Sequence, residues 1–145
     1  MKTPLVQVVL KFGKDAPVRR FHPWVFSGAI HKIKGKPQDG EVVEVLDSHG
    51  NYLATGHYHD GSIAVKIFSF EQVDIDEHFW FNKLEKAYKV RQLLDLQQTT
   101  CFRLIHGEGD GLPGLVIDWY NGVAVLQAHS IGMHLERNNL SQALQ

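Results

Sequence analysis

The chain has one cysteine, Cys101. A single thiol rules out an internal disulfide and any cysteine-rich zinc finger. No apolar run approaches the ~20 residues that a membrane-crossing helix needs. The opening stretch, Met1 to Lys14, lacks the apolar core and small-residue site of a secretory signal. The expectation is a cytoplasmic protein with no membrane partner. Internal repeats and low-complexity tracts are also missing. So is a strong net charge: the total is −1 over 145 residues, and no global field draws the chain to a polyanion.

What is present is 43% hydrophobic and 21% charged residues, the balance of a globular protein. The length suits one ordinary domain or two small ones. The charge is unevenly placed. Residues 1–36 hold eight Lys or Arg against the single acid Asp15, whereas residues 37–79 hold nine acids against Lys66 alone. This asymmetry points to a basic face, with a merely solvated basic segment as the plainer alternative.

Period-2 alternation predicts strands at Leu5 to Lys11, Glu41 to Leu46, Tyr52 to His59 and Ser62 to Phe68. His49-Gly50-Asn51 and Asp60-Gly61 supply the turns between the last three. Such strands form an antiparallel meander, and with the first they roll into a small barrel that removes exposed edges. Between them, Arg19 to Ile30 predicts a short helix with Pro23 at its first position and Gly28 at its end. At Asp74 the period changes. Asp74 and Glu77 have capping-box spacing. Trp80, Leu84, Ala87, Tyr88, Arg91 and Leu94 then predict a helix from about 76 to about 96. The domain boundary falls near residues 70–75, giving domains 1–72 and 73–145. Cys101 to Ile105 is a further strand. Leu115 to Tyr120 and Val123 to Ala128 flank Asn121-Gly122, a strong hairpin signal. A last helix begins near Gly132 and is still running at Gln145, which reads as a cut inside a longer protein. The fold class is mostly β with α: a barrel, then a small α/β domain of helix, antiparallel hairpin and helix.

Gly109-Asp110-Gly111-Leu112-Pro113-Gly114 is a literal GxGxxG. A dinucleotide or adenosylmethionine loop needs strand, turn and helix, and here strands follow instead, so the motif reads as a structural turn. His57, His59 and Asp60 have the chemistry of three zinc ligands, but no fourth partner is evident, and an exposed polar strand face is the plainer reading. Cys101 has no neighbouring base to activate it and reads as a buried structural thiol. Glu108 and Asp110 either position a ligand, RNA or partner domain or cap turn N–H groups, and the residues leave both open.

Lys11, Arg19, Arg20, His22, Lys32, Lys34 and Lys36 are the candidate RNA contacts. Basic groups neutralise phosphates and release counterions. On an extended backbone Lys32, Lys34 and Lys36 share one side. Aromatic faces stack on unpaired bases, which is one role open to Trp24 and Phe26; beside Val25 the plainer expectation for both is the core. No catalytic, cofactor-binding or metal-binding residue is assigned.

Two stretches carry a family resemblance. Arg20-Phe21-His22-Pro23-Trp24-Val25-Phe26-Ser27-Gly28-Ala29-Ile30 resembles the start of the PUA domain in the bacterial adenosylmethionine-dependent 23S rRNA cytosine-C5 methyltransferases. The run Arg103-Leu104-Ile105-His106-Gly107-Glu108-Gly109-Asp110-Gly111-Leu112-Pro113-Gly114-Leu115-Val116-Ile117-Asp118 resembles that family's central-domain signature. The resemblance implies a PUA-like barrel and a connecting α/β domain, with the Rossmann-like catalytic domain beyond Gln145. It implies S-adenosylmethionine as cofactor of the intact parent and none in this chain. It also implies RNA, in particular rRNA, as partner, together with the missing methyltransferase domain. A homodimer stays open. The family's catalytic cysteine would lie past the last residue, so Cys101 does not inherit its role. Two departures are His59-Asp60-Gly61, where relatives carry an Asn-Pro turn, and Lys66, where Arg is usual. The competing readings are a PUA-type module of another RNA-modifying enzyme or ribosome-associated factor, and a metal enzyme built on His57, His59 and Asp60.

Overall fold

The computed structural model describes residues 3–145. Met1 and Lys2, with which the expected first domain and basic segment begin, lie outside the described residues. The chain divides into two compact units, one ending at Gln72 and one running from Val73 to Gln145.

The first unit contains strands β1 (Val6–Leu10), β2 (Trp24–Phe26), β3 (Ile30–Lys34), β4 (Val42–Leu46), β5 (Tyr52–Tyr58) and β6 (Ile63–Ser69), with helix α1 (Ala16–Arg19). They make one sheet in the order β2-β6-β5-β4-β1-β3. The β4-β5-β6 meander is antiparallel. β1 joins it parallel to β4 and antiparallel to β3. The two end strands, β2 and β3, are separated in sequence by only a 3-10 turn at Ser27–Ala29. The sheet must therefore curl until its ends approach, which makes it a half-barrel. Inward positions fill it: Val8, Leu10, Val25, Val43, Val65 and Ile67 form one buried cluster. At Gly56 a Cβ would lie 2.4 Å from the Lys66 carbonyl oxygen, so β5 and β6 can pair there only because that side chain is missing.

The helix expected at Pro23 does not exist. Pro23 precedes an edge strand, and its carbonyl accepts from Ile67 N–H at 2.7 Å. Proline is tolerated at the start of such a strand. The helix lies earlier, where Pro17 occupies the first turn of α1. It ends in a Schellman arrangement, with Phe21 N–H bonding Val18 O at 2.9 Å and His22 N–H bonding Pro17 O at 3.0 Å. The left-handed position of that motif, usually glycine, is Phe21 at φ 64°.

The second unit contains α2 (Glu77–Gln92), β7 (Cys101–His106), β8 (Leu115–Tyr120), β9 (Val123–Ala128), α3 (Ile131–Leu135) and α4 (Arg137–Ala143). α2 is capped by Asp76, whose side chain accepts from Phe79 N–H, and not by Asp74. Trp80, Leu84 and Ala87 form its buried stripe. β7-β8-β9 is an antiparallel sheet. Asn121 and Gly122 both take positive φ, 45° and 94°, as a type I′ hairpin requires. The expected last helix is two helices that meet at Glu136, and its cap is Ser130, two residues before Gly132. No helix among the described residues is long and apolar enough to cross a membrane.

Candidate nucleic-acid interface

All seven candidate RNA contacts are exposed. The fold does not treat them alike. β1 and β3 pair Val9 with Lys32 and Gln7 with Lys34, while Val8 opposes Ile33 on the buried side. Lys32 and Lys34 therefore share the outer face. Lys36 follows Gly35, whose φ of 121° turns the chain out of the strand, so the regular alternation stops before it. Lys34 Nζ reaches Gln7 Oε1 at 3.5 Å, and Gln7 in turn reaches Glu44 at 3.4 Å. Lys11 Nζ donates to Gly28 O at 2.9 Å, which holds a cation beside the β2–β3 turn.

Arg19 has a different environment. Its guanidinium bonds Asp15 and also reaches Asp47 at 2.9 Å. Asp47 has only 7% of its side chain exposed. Bonds from Asn51, first through its side chain and then its backbone N–H, and from His49 lower the Asp47 carboxyl to a pKa of about 2. The Arg19 hydrogen bond also holds Asp15 below the usual carboxylate range. Two carboxylates thus balance Arg19, which ties α1 to the turn after β4.

The aromatic run departs most from expectation. His22, Trp24 and Phe26 alternate on an extended backbone while Val25 points into the core at 3% exposure. Phe26 is 50% exposed and Phe21 70% exposed, and Trp24 is only partly buried. The expectation of two core aromatics fails for Phe26 because β2 is an end strand. The three rings lie 6.0–6.3 Å apart. The period-2 spacing of His22, Trp24 and Phe26 is the sequence signal of this arrangement, and a helix begun at Pro23 is incompatible with it.

The histidine pair does not gather ligands. His57 is buried with its ring 4.6 Å from Phe68, whereas His59 lies beyond the strand with Nδ1 3.4 Å from Asp39. Among the described residues no cluster of three His, Cys, Asp or Glu is arranged to hold a metal. Cys101 is exposed, contrary to expectation, because it opens β7 opposite the exposed Tyr120 at the sheet end.

The signature between Arg103 and Asp118 is a closed structural unit. Its first and last residues are cross-strand partners joined by two bonds of 2.8 and 3.2 Å. The Arg103 hydrogen bonds hold the Asp118 carboxyl below its ordinary pKa. Gly107–Asp110 forms a 3-10 turn followed by β8, so the GxGxxG stands between strands. Asp110 accepts from His106 N–H and from Arg91 of α2, each at 2.6 Å. A groove of about 440 Å³ in this unit is lined mainly by Phe81, Leu84, Tyr88, Phe102, Leu104 and Trp119. Its lining carries no His, Cys, Ser or Lys.

The first unit is a small curled β-domain with His22, Trp24 and Phe26 at end strand β2 and exposed Lys32 and Lys34 on end strand β3. Residues 8–70 match the family of PUA-like domains. The chain as a whole is 40% identical over 98% of its length to "Ribosomal RNA large subunit methyltransferase I" of Vibrio cholerae. It is 40% identical over 95% of its length to the Alteromonas mediterranea protein of the same name. It is homologous to these proteins and spans about 36% of their length. Among solved structures, a protein from Streptococcus mutans described as a SAM-dependent methyltransferase superposes on 95% of the chain with TM-score 0.78 and 16% identity. The chain covers 36% of that structure. A methyltransferase solved in complex with SAH matches with TM-score 0.79 and 15% identity, and again 36% of it is covered. At that identity the likeness concerns the fold.

Proposed function

We propose that this chain is the RNA-holding part of an adenosylmethionine-dependent methyltransferase that modifies cytosine C5 in large-subunit ribosomal RNA, a reaction of the cytoplasm. Residues 1–72 bind RNA, and residues 73–145 connect them to a catalytic domain carried by the rest of the parent protein. The observation that carries this reading is the 40% identity, over 98% of the chain, to a relative named for ribosomal RNA methylation. The exposed basic residues support it: no acid occurs from Ala16 to Lys36.

Lys11, Arg20, His22, Lys32, Lys34 and Lys36 supply the phosphate contacts. Arg19, neutralised by Asp15 and Asp47, acts by positioning α1 and Arg20. The assignment to cytosine C5 rests on the Arg103–Asp118 signature. Methyl transfer to that carbon requires a nucleophile to add to the ring first. In this reading that group and the cofactor belong to the catalytic domain.

The test is calorimetry on the 145-residue chain. Ribosomal RNA binds and adenosylmethionine does not. Tight binding of adenosylmethionine, or no binding of RNA, refutes the reading. Nucleoside mass spectrometry of RNA methylated by the parent protein tests the finer part. 5-Methylcytidine is expected, and any other methylated nucleoside overturns the cytosine assignment.

A further inference from the structure

We infer that the run from Phe21 to Phe26 is a stacking site for unpaired bases, so that this edge of the first unit takes single-stranded RNA in preference to duplex. The inference rests on the RNA-binding reading and names which part of an RNA this edge recognises.

Three observations carry it. First, Phe26 is half exposed on an end strand, with the His22 and Trp24 rings 6.2 and 6.3 Å away. A phenyl ring with that much free surface, flanked by two more rings, offers a π-face to a flat ligand. The bases of a duplex already stack on each other, so only an unpaired base can use it. Second, Phe21 occupies the left-handed position of a helix cap at φ 64° and is 70% exposed. Glycine fits that position without strain, and a bulky residue there is an outlier. Phe70 packs edge-on against the ring at 5.1 Å, yet most of the Phe21 surface stays open to solvent. An exposed aromatic held against a backbone preference marks a candidate functional position.

Third, cations lie along this edge. Arg20 adjoins Phe21, Lys11 is anchored on Gly28 O, and Lys66 pairs with Trp24 across the strands. Cations beside stacking rings match a strand whose phosphates flank each base. His22 Nδ1 accepts the Trp24 N–H at 3.1 Å, which fixes the imidazole against this edge and leaves Nε2 as its other polar atom.

The experiment compares a labelled single-stranded RNA with a blunt duplex of the same sequence, by fluorescence anisotropy on the whole chain. The variants are Phe26→Ala, Phe21→Gly and Lys32→Gln/Lys34→Gln, with thermal melts as folding controls. Phe26→Ala is expected to weaken single-strand binding between about fivefold and about a hundredfold and to leave duplex binding unchanged. Phe21→Gly is expected to weaken single-strand binding while melting no lower than the wild type, since it relieves the strained φ. The lysine variant weakens both RNAs. If Phe26→Ala and Phe21→Gly bind the single strand like the wild type while the lysine variant does not, stacking is overturned and the RNA reading stands. Equal loss on both RNAs also overturns stacking. If the wild type binds neither RNA, both readings fall.

Discussion

Asp110→Ala separates the two roles that the sequence allows for the glycine turn. The Asp110 carboxylate accepts the His106 N–H and the Arg91 guanidinium, each at 2.6 Å. Only 10% of the Asp110 side chain and 17% of Arg91 is exposed, so water screens the pair little. A hydrogen bond to a charged group contributes about 1.5–3 kcal/mol. The two bonds share one carboxylate and do not simply add. Arg91 keeps its bond to Arg103 O at 3.0 Å, which limits the loss further. The expected cost of Asp110→Ala is therefore about 3 kcal/mol of the second unit's stability. Asp110→Asn keeps an acceptor for His106 and should cost roughly half as much. The assay is urea unfolding followed by tryptophan fluorescence, because Trp80 and Trp119 both lie in the second unit. With a urea dependence of about 1–3 kcal/mol per molar, the midpoint for Asp110→Ala falls by roughly 1–3 M. A midpoint unchanged from wild type, together with lost RNA affinity, would refute the structural reading and make Asp110 a binding residue.

Two further perturbations follow from the same geometry. Gly114→Ala should destabilise the second unit: φ there is 85°, and the new Cβ would stand 2.5 Å from Ser130 Oγ, the atom that caps α3. Chemical denaturation is expected to show a larger loss than Ser130→Ala, which removes only a cap worth about 1 kcal/mol. Asp47 gives a pH dependence. Its folded pKa, about 2, lies below the ordinary carboxylate value of 3.8, so its contribution is complete above the unfolded pKa and fades as pH falls through the folded one. Denaturant midpoints should therefore drop between pH 4 and pH 2. Asp47→Asn should flatten that drop in part, since Asp15 and Asp118 are lowered as well. An identical acid profile for variant and wild type would contradict the assignment.

Local chemistry made much of the fold legible. Alternating residues bounded by glycine turns mark β4, β5, β6, β8 and β9, because a half-buried strand needs that pattern and a tight turn needs positive φ. Asn121-Gly122 gave the hairpin directly. The errors also have physical causes. Proline at a helix start and proline before an edge strand look alike in sequence. The helix signal belonged to Pro17, while the alternation of His22, Trp24 and Phe26 belonged to β2. The break at Glu136 has no glycine or proline to announce it. The parallel pairing of β1 with β4 joins residues more than thirty positions apart, such as Val6 and Val43, and no local pattern encodes it. Of the candidate interface, sequence supplied the cations. It could not show that Asp47, distant in the chain, neutralises Arg19, nor that the curled sheet leaves Phe26 at an open edge.

The most direct measurement is the salt dependence of RNA affinity for the whole chain and for Lys32→Gln/Lys34→Gln. If these lysines meet phosphates, affinity falls as salt rises. The logarithmic slope for single-stranded RNA then shrinks by about 1.4 in the double variant, about 0.7 for each phosphate that is no longer neutralised. A wild-type affinity that does not respond to salt, or the same slope in both proteins, would contradict RNA binding through this face.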